Sequence, residues 1–257
     1  MSVANNQTSK AFPYSSFIPF YVNGLGISNN ATTPNTKLDV AAGTCLDSTG
    51  TFQMSLNASV TIDASTNGLN GLDTGTLAAS TVYSVFLVTD QISGLPAGAM
   101  ISLSQTQPYM PFGYNAFRLI GYIVTDASVH FLKGYWSDND SSRRVFTYDA
   151  PQLALNAGTQ TGYTGVALTT LVPAVANTPV YMYMLFAANA AGNAANLQGY
   201  NSTGDQITLI APVATGVANT TENVTVLAQL NSAAPSIKYK VAAGSLSLYV
   251  CGYTFDL

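Results

Sequence analysis

Charge is what this sequence has least of. Only 8% of its 257 residues are charged, against roughly a quarter in an average soluble protein. A surface so weakly charged must be wetted by neutral polar groups or covered by neighbouring subunits. Ser, Thr, Asn and Gln are abundant, and both solutions are expected. Eleven Asp stand beside a single Glu, Glu222, and five Lys beside three Arg. Glu, Lys and Arg favour helix interiors, whereas Asp favours turns and caps. The composition therefore speaks against a helical protein.

Other scarcities narrow the function. A net charge of −4 leaves no basic face to displace counterions from phosphates, so nucleic acid is not an expected partner. Arg143-Arg144 is the only adjacent basic pair and reads as a surface or interface pair. No run approaches the roughly 18 uninterrupted apolar residues of a spanning helix, so no membrane partner is expected. Met1 to Asn6 lacks the basic and apolar regions of a secretory signal, and a soluble, cytosolically made chain is expected. Two cysteines, Cys45 and Cys251, suit a reducing compartment as small buried hydrophobes. One histidine, His130, is too few for most triads and zinc sites. No catalytic residue, metal or cofactor is expected.

What is plentiful is Thr, Val, Tyr and Phe, which fit pleated, half-buried surfaces. Strands are expected at 38–40, 52–56, 82–88, 117–125 and 131–136, then at 165–172, 179–187, 206–212, 223–230, 236–241 and 245–255. Val82 to Val88 is nearly all apolar, as in a strand buried on both faces. Ile237, Tyr239 and Val241 alternate with Lys238 and Lys240, which puts both lysines on one wet face. Val180 to Phe186 is apolar or aromatic on both faces, as in a central strand with an inter-subunit side. Residues 189–197, rich in Ala but interrupted by Gly192 and Asn, read as a long loop with at most one helical turn.

Short strands at roughly 8–12-residue spacing, separated by Gly, Asn and Pro, predict an all-β antiparallel sandwich, jelly-roll-like, in two lobes. The expected division is an N-terminal arm at 1–22, a first β domain at 23–142 and a second at 143–257. Residues 137–151, polar and closed by Ala150-Pro151, read as the boundary. Pro13 and Pro19 make the arm an extended docking segment, with Phe12, Tyr14, Phe17, Phe20 and Tyr21 as candidate anchors.

Three segments carry weak chemical signals. Asp73-Thr74-Gly75 matches an aspartic-protease tripeptide but sits in a Gly/Asn-rich turn, so a structural role is expected. Asp138-Asn139-Asp140 clusters oxygen ligands without the glycine and distal Glu of a calcium loop, so a solvated linker is expected. Tyr135 and Trp136 beside a polar loop are candidate glycan contacts, weighed against ordinary packing.

Tyr21 to Leu25 with Ala31 to Cys45, Asn67-Gly68 to Phe86, and Pro111 to Gly121 together resemble a family of small virion proteins of tailed bacteriophages and prophages. The resemblance covers about the first 125 residues. Leu46 departs from it, standing where related sequences carry an arginine. It implies a β-rich, non-enzymatic subunit of a symmetric virion assembly, made in the host bacterial cytoplasm and residing in the virion. Homo-oligomerisation is expected, with a trimer favoured, together with contacts to capsid or tail proteins. Capsid decoration, head fibre and tail component are the placements implied. The alternative is a receptor- or carbohydrate-binding module at a tail or fibre tip, with a host surface glycan as partner.

Overall fold

The computed structural model describes residues 21–92, 94–140, 143–175, 178–199, 203–212, 219–231 and 234–256. Among them there is no helix. Nineteen strands follow one another. In the first half these are β1 (Val22–Gly24), β2 (Ile27–Asn29), β3 (Lys37–Val40), β4 (Gly43–Leu46), β5 (Gln53–Leu56), β6 (Val60–Asn67), β7 (Gly71–Leu72), β8 (Val82–Thr89), β9 (Gly98–Ser102) and β10 (Ala116–Val124). The second half holds β11 (Gly134–Asp140), β12 (Arg143–Gly158), β13 (Thr164–Ala167), β14 (Thr178–Ala187), β15 (Ala194–Gly199), β16 (Ile207–Ile210), β17 (Asn219–Asn231), β18 (Ala234–Val241) and β19 (Ser245–Asp256).

The last eight strands define the architecture. One sheet runs β12-β19-β14-β17 and the other β13-β18-β15-β16, all antiparallel. Numbered one to eight, these orders are 1-8-3-6 and 2-7-4-5, the strand order of a jelly roll. Alternation along the strands builds its core. Val180, Met182, Met184 and Phe186 face inward from β14, and Leu246, Leu248 and Val250 from β19. They meet Ala195, Leu197, Ile237, Tyr239 and Val241 of the opposite sheet in one continuous cluster. Each large side chain so buried contributes about 1.5–3 kcal/mol. Lys238 and Lys240 stand between the buried positions of β18, as the alternation requires.

The first half forms a run of strands ordered β10-β8-β9-β7-β6-β3-β2, antiparallel except around the two-residue β7, with β1-β4-β5 as a separate small sheet. β8 is buried on both faces. Tyr83, Val85 and Leu87 enter the main core, while Phe86 and Val88 join Met100 in a second cluster beneath Met110, Tyr114 and Phe117. The all-β sandwich expected from composition and spacing is the fold observed.

Three local expectations are corrected. Residues 137–140 and 143–151 are not a polar linker. They lie in β11 and β12, which pair antiparallel, and β12, with 16 residues, is the longest strand among the described residues. Residues 194–197, expected within a loop, belong to strand β15 (Ala194–Gly199), hydrogen-bonded on both sides. Arg143 and Arg144 are not a matched surface pair. Arg143 is exposed and pairs with Asp256 at 2.9 Å, whereas Arg144 is 1% exposed.

The hairpin joins the two halves. β11 meets β2 at Tyr135 and Ser28. An aromatic column then runs through Trp136, Phe146, Tyr148, Tyr253 and Phe255 to Tyr122 of β10, with ring centroids 4.7–6.3 Å apart. Burial pushes the Tyr122 hydroxyl up to about 12 and those of Tyr148 and Tyr253 well above the ordinary phenol value.

β10 is the terminal strand of its sheet, yet its outer carbonyls are occupied. Phe117 O accepts from Ser48 N at 2.8 Å, Tyr122 O from Trp136 Nε1 at 3.2 Å, and Val124 O from Leu132 N at 2.8 Å. A bulge between Leu119 and Gly121 leaves Ile120 outside the ladder, and Arg144 Nη1 donates to its carbonyl at 2.7 Å. The same guanidinium reaches Leu25 O at 3.0 Å and Gly24 O at 2.5 Å. Glycine at 121 lets the Ile27 side chain approach β10, because a Cβ there would lie 2.5 Å from Ile27 Cδ1.

The two adjacent arginines therefore predict opposite mutational costs. Arg144→Met strips three carbonyls, two of them buried, of a charged donor and should cost about 3–5 kcal/mol. Arg143→Ser breaks an exposed pair and should cost less than about 1 kcal/mol. Urea unfolding of both variants is the measurement, and similar midpoints for the two would contradict the assignment.

Candidate interaction surfaces

Most of the chemically suggestive side chains are committed to holding loops. Asp73 lies at the end of β7, 9% exposed. Its carboxylate accepts from Ser102 Oγ at 2.5 Å, from the Tyr109 amide at 2.9 Å and from the Thr74 amide at 2.7 Å. A carboxylate so engaged pins the connection after β9 to the end of β7. The tripeptide is a turn, as its Gly/Asn-rich setting implies.

Cys45 sits in the core, and burial drives its thiol up to about 12 despite the nearby Arg118 and Arg144 guanidinium groups. Burial also pushes the neighbouring Asp47 carboxyl upward. Hydrogen bonds from the Phe52 and Thr51 amides and the Thr49 hydroxyl outweigh that and hold it below its ordinary value. Arg118 Nη1 donates to Asp47 O at 3.4 Å. This group braces the 47–52 turn against β10. His130 lies in an exposed turn 3.8 Å from Asp126.

The candidate glycan pair is split by the alternation of β11. Tyr135 is 55% exposed. Trp136 points the other way, its ring against Phe146 and its Nε1 on Tyr122 O. The two rings cannot form one stacking platform. Of the arm, Phe12, Tyr14, Phe17 and Phe20 lie outside the described residues. Tyr21 is 36% exposed, and its carbonyl accepts from the Leu46 amide at 3.2 Å. The side chains of Asp138 to Asp140 also fall outside what is described. Among the described residues no group of three or more His, Cys, Asp or Glu is placed to hold a metal ion.

Three features emerge that the sequence reading did not anticipate. The first is apolar. Nine large hydrophobic side chains are exposed among the described residues, and five of them (Ile92, Leu95, Leu103, Tyr109 and Phe112) come from the two connections flanking β9. These loops are tied together rather than loose. Tyr114 Oη donates to Pro96 O at 2.8 Å, and the Gln91 amide to Asn115 Oδ1 at 2.9 Å. Leu95 packs against Gly113, whose φ of +88° and missing Cβ admit it. Phe112, next to it, is fully exposed. A signal existed in sequence: single apolar residues spaced among Pro, Gly, Ser and Gln, without the alternation that would assign them to a strand.

The second feature is polar. Asp205 accepts from Tyr163 Oη, from Asn196 Nδ2 at 2.7 Å and from Lys240 Nζ at 3.2 Å, and Lys240 Nζ lies 4.5 Å above the Tyr163 ring. Those bonds lower the Asp205 carboxyl. Burial and the bond to Asp205 raise the Tyr163 hydroxyl to about 12. The cluster fastens the 203–206 turn over the outer face of β15 and β18. The third is a cleft of about 340 Å³ between the 80–82 and 169–174 segments, lined by Ser80, Thr81, Gln105, Thr169 and Thr170 above Val82 and Val172.

Asp73→Ala should release the 102–109 connection at a cost of about 1–3 kcal/mol. The check is hydrogen exchange at the Tyr109 amide, which should lose its protection while amides of β14 and β19 keep theirs. A Tyr109 amide that exchanges as slowly as in the parent would rule the latch out.

No family model matches the chain, and no curated protein matches it either. Two solved structures show a distant likeness. One is a carbohydrate-binding module from Cellvibrio mixtus lichenase 5A in complex with cellotriose, at 18% identity over 48% of this chain and 85% of that one, with a TM-score of 0.22. The other is the Gx strain of infectious bursal disease virus, at 12% identity over 89% of this chain and 69% of that one, with a TM-score of 0.19. At such scores neither likeness carries an argument about role.

Proposed function

We propose that this protein is a non-enzymatic structural subunit of a tailed-bacteriophage virion, homo-oligomeric and bound to capsid or tail proteins through its β9 loops. The observation that carries the reading is the cross-tied pair of loops presenting Ile92, Leu95, Tyr109 and Phe112 to solvent. A rigid apolar surface of this kind has a reason to exist only if something covers it. Low overall charge agrees with a chain whose surface is shared with neighbours, because lasting interfaces resemble a core cut in half. Asp73, Asp47 and Asp205 each serve a turn, which suits a protein built to hold shape. The resemblance of the first 125 residues to phage virion proteins supplies the particle. Attachment then stabilises the assembly by mass action.

A second reading, a receptor- or carbohydrate-binding module, draws on the cleft at Ser80 and Thr169. Its neutral hydroxyl and amide lining has the hydrogen-bonding character of a sugar. It ranks second because no aromatic ring lies among the residues lining that cleft, and stacking supplies much of sugar affinity.

The test is incorporation into particles. Phe112→Ser with Tyr109→Ser should lower occupancy at least about tenfold, a loss of about 1.4 kcal/mol or more, with the circular dichroism spectrum unchanged. Deleting residues 1–22 tests the arm separately, and full occupancy after that deletion would remove it as the anchor. Absence of the chain from purified virions would overturn the structural reading. Glycan-array binding abolished by Thr169→Trp would promote the second.

A further inference from the structure

The outer face formed by β12, β19 and β14 has an unusual make-up. On β14 the side chains between the buried Val180, Met182, Met184 and Phe186 are Tyr181, Tyr183 and Leu185, all half-buried. On β19 the corresponding residues are Tyr249 and Cys251, between buried Leu248, Val250 and Gly252. Tyr183 and Tyr249 are cross-strand partners with ring centroids 5.9 Å apart. The row continues to Leu153 of β12, opposite Tyr249 and 50% exposed. Tyr181 Oη shares a hydrogen bond of 2.7 Å with Thr254 Oγ1. None of these outward positions carries a charge. Central strands of a solvated sheet ordinarily alternate apolar-in with polar-out; here the second face is aromatic as well.

We infer that this face is the seam at which a second copy of the chain packs, sheet against sheet. The inference rests on the homo-oligomeric part of the reading above and on nothing about the particle. Two observations select a copy of the same chain. First, an isologous contact brings a patch against itself. A charged patch would then meet like charge, which is costly across an interface. Phenol and threonine hydroxyls both donate and accept, so a Tyr/Thr face can satisfy its own copy. Second, the size suits a reversible contact. Ten residues of β14 at about 3.3 Å rise, across the three strands β12, β19 and β14 about 4.8 Å apart, give about 480 Å² per copy. Two copies together bury about 950 Å², the scale of weak, transient interfaces. The β9 loops remain free for a different partner.

The experiment uses the full-length protein. Sedimentation velocity from about 1 to 100 μM should show a concentration-dependent oligomer. Tyr183→Lys and Leu185→Lys each place like charges in register and should weaken association at least about tenfold, with circular dichroism unchanged. Ile210→Lys, at an exposed position on β16 of the opposite sheet, should leave association as it was. Cys251 reports from the seam itself: its alkylation by iodoacetamide should be slow in the oligomer and should accelerate on dilution and in both lysine variants. Cys45, whose buried thiol is pushed up to about 12, should stay unmodified throughout and so certify the fold.

An oligomer untouched by either lysine, with Cys251 equally reactive at every concentration, would overturn the seam and leave homo-oligomerisation standing. A wild-type chain monomeric across the whole range would overturn both. Should a lysine variant fail to fold, the dilution series on the wild type decides alone: a Cys251 rate independent of concentration sinks the seam.

Discussion

One buried guanidinium sets the relation between the two halves of the molecule. Arg144 leaves the long strand β12 of the jelly roll and donates to the carbonyls of Gly24, Leu25 and Ile120 in the first half. A terminal strand such as β10 exposes a row of unpaired carbonyls and invites pairing with foreign chains. Here the row is closed from outside the ladder by Ser48, Arg144, Trp136 and Leu132. The bulge at Ile120 matters to this arrangement, because a regular ladder would not turn that carbonyl toward the guanidinium. Only Arg has several donors spread in a plane wide enough to serve three carbonyls at once. The only tryptophan in the chain works beside it, spending its N–H on Tyr122 and its ring on the aromatic column.

That arrangement explains what could and could not be read in the sequence. The jelly-roll strands β14, β18 and β19 are legible because Val180 to Phe186 is an unbroken apolar or aromatic run, while Ile237 to Val241 and Ser245 to Leu248 alternate apolar with polar residues, and both patterns are local properties. Strand β8 is legible in the same way as β14: seven buried positions in a row leave no room for a solvated face. Strand β12 was not legible. Its stretch Tyr148-Asp149-Ala150-Pro151 looks like a turn, and it is in fact the irregular part of the β12–β19 ladder, where the register shifts between Thr147 and Gln152. The partner that keeps this segment extended lies about a hundred residues downstream, and no local pattern announces it. Strand β15 was hidden in the same way. Its Asn196 and Gln198 look like loop residues and are buried under the 203–206 turn that hydrogen-bonds them.

The candidate residues divide along the same line. The turn at Asp73 is legible, since its Gly and Asn neighbours are a local signal. The role of Arg144 is not, because a basic dipeptide has no local feature that distinguishes a surface pair from one exposed and one buried member. Adjacency makes Trp136 and Tyr135 look like a unit. Strand geometry separates adjacent side chains by construction, so the assignment of residues 134–140 to a strand was the missing fact.

The distribution of charge follows from these placements. The few charged groups are spent on fastening: Arg144 between the halves, Arg118 on the 47–52 turn, Asp73 and Asp205 on their loops, and Asp63 against Lys37 at 2.8 Å across β3 and β6. That last pair, helped by Ser65, holds the Asp63 carboxyl near 2. With these groups committed to internal bonds, few charges are left with which to repel neighbours. The aromatic sheet face and the β9 loops are then the surfaces with most to gain from being covered, and they differ in kind. The face is flat, neutral and suited to its own image, whereas the loops project single apolar side chains into whatever has a cavity to receive them. A chain that joined its own copies and also attached to something else would need two such surfaces that do not compete.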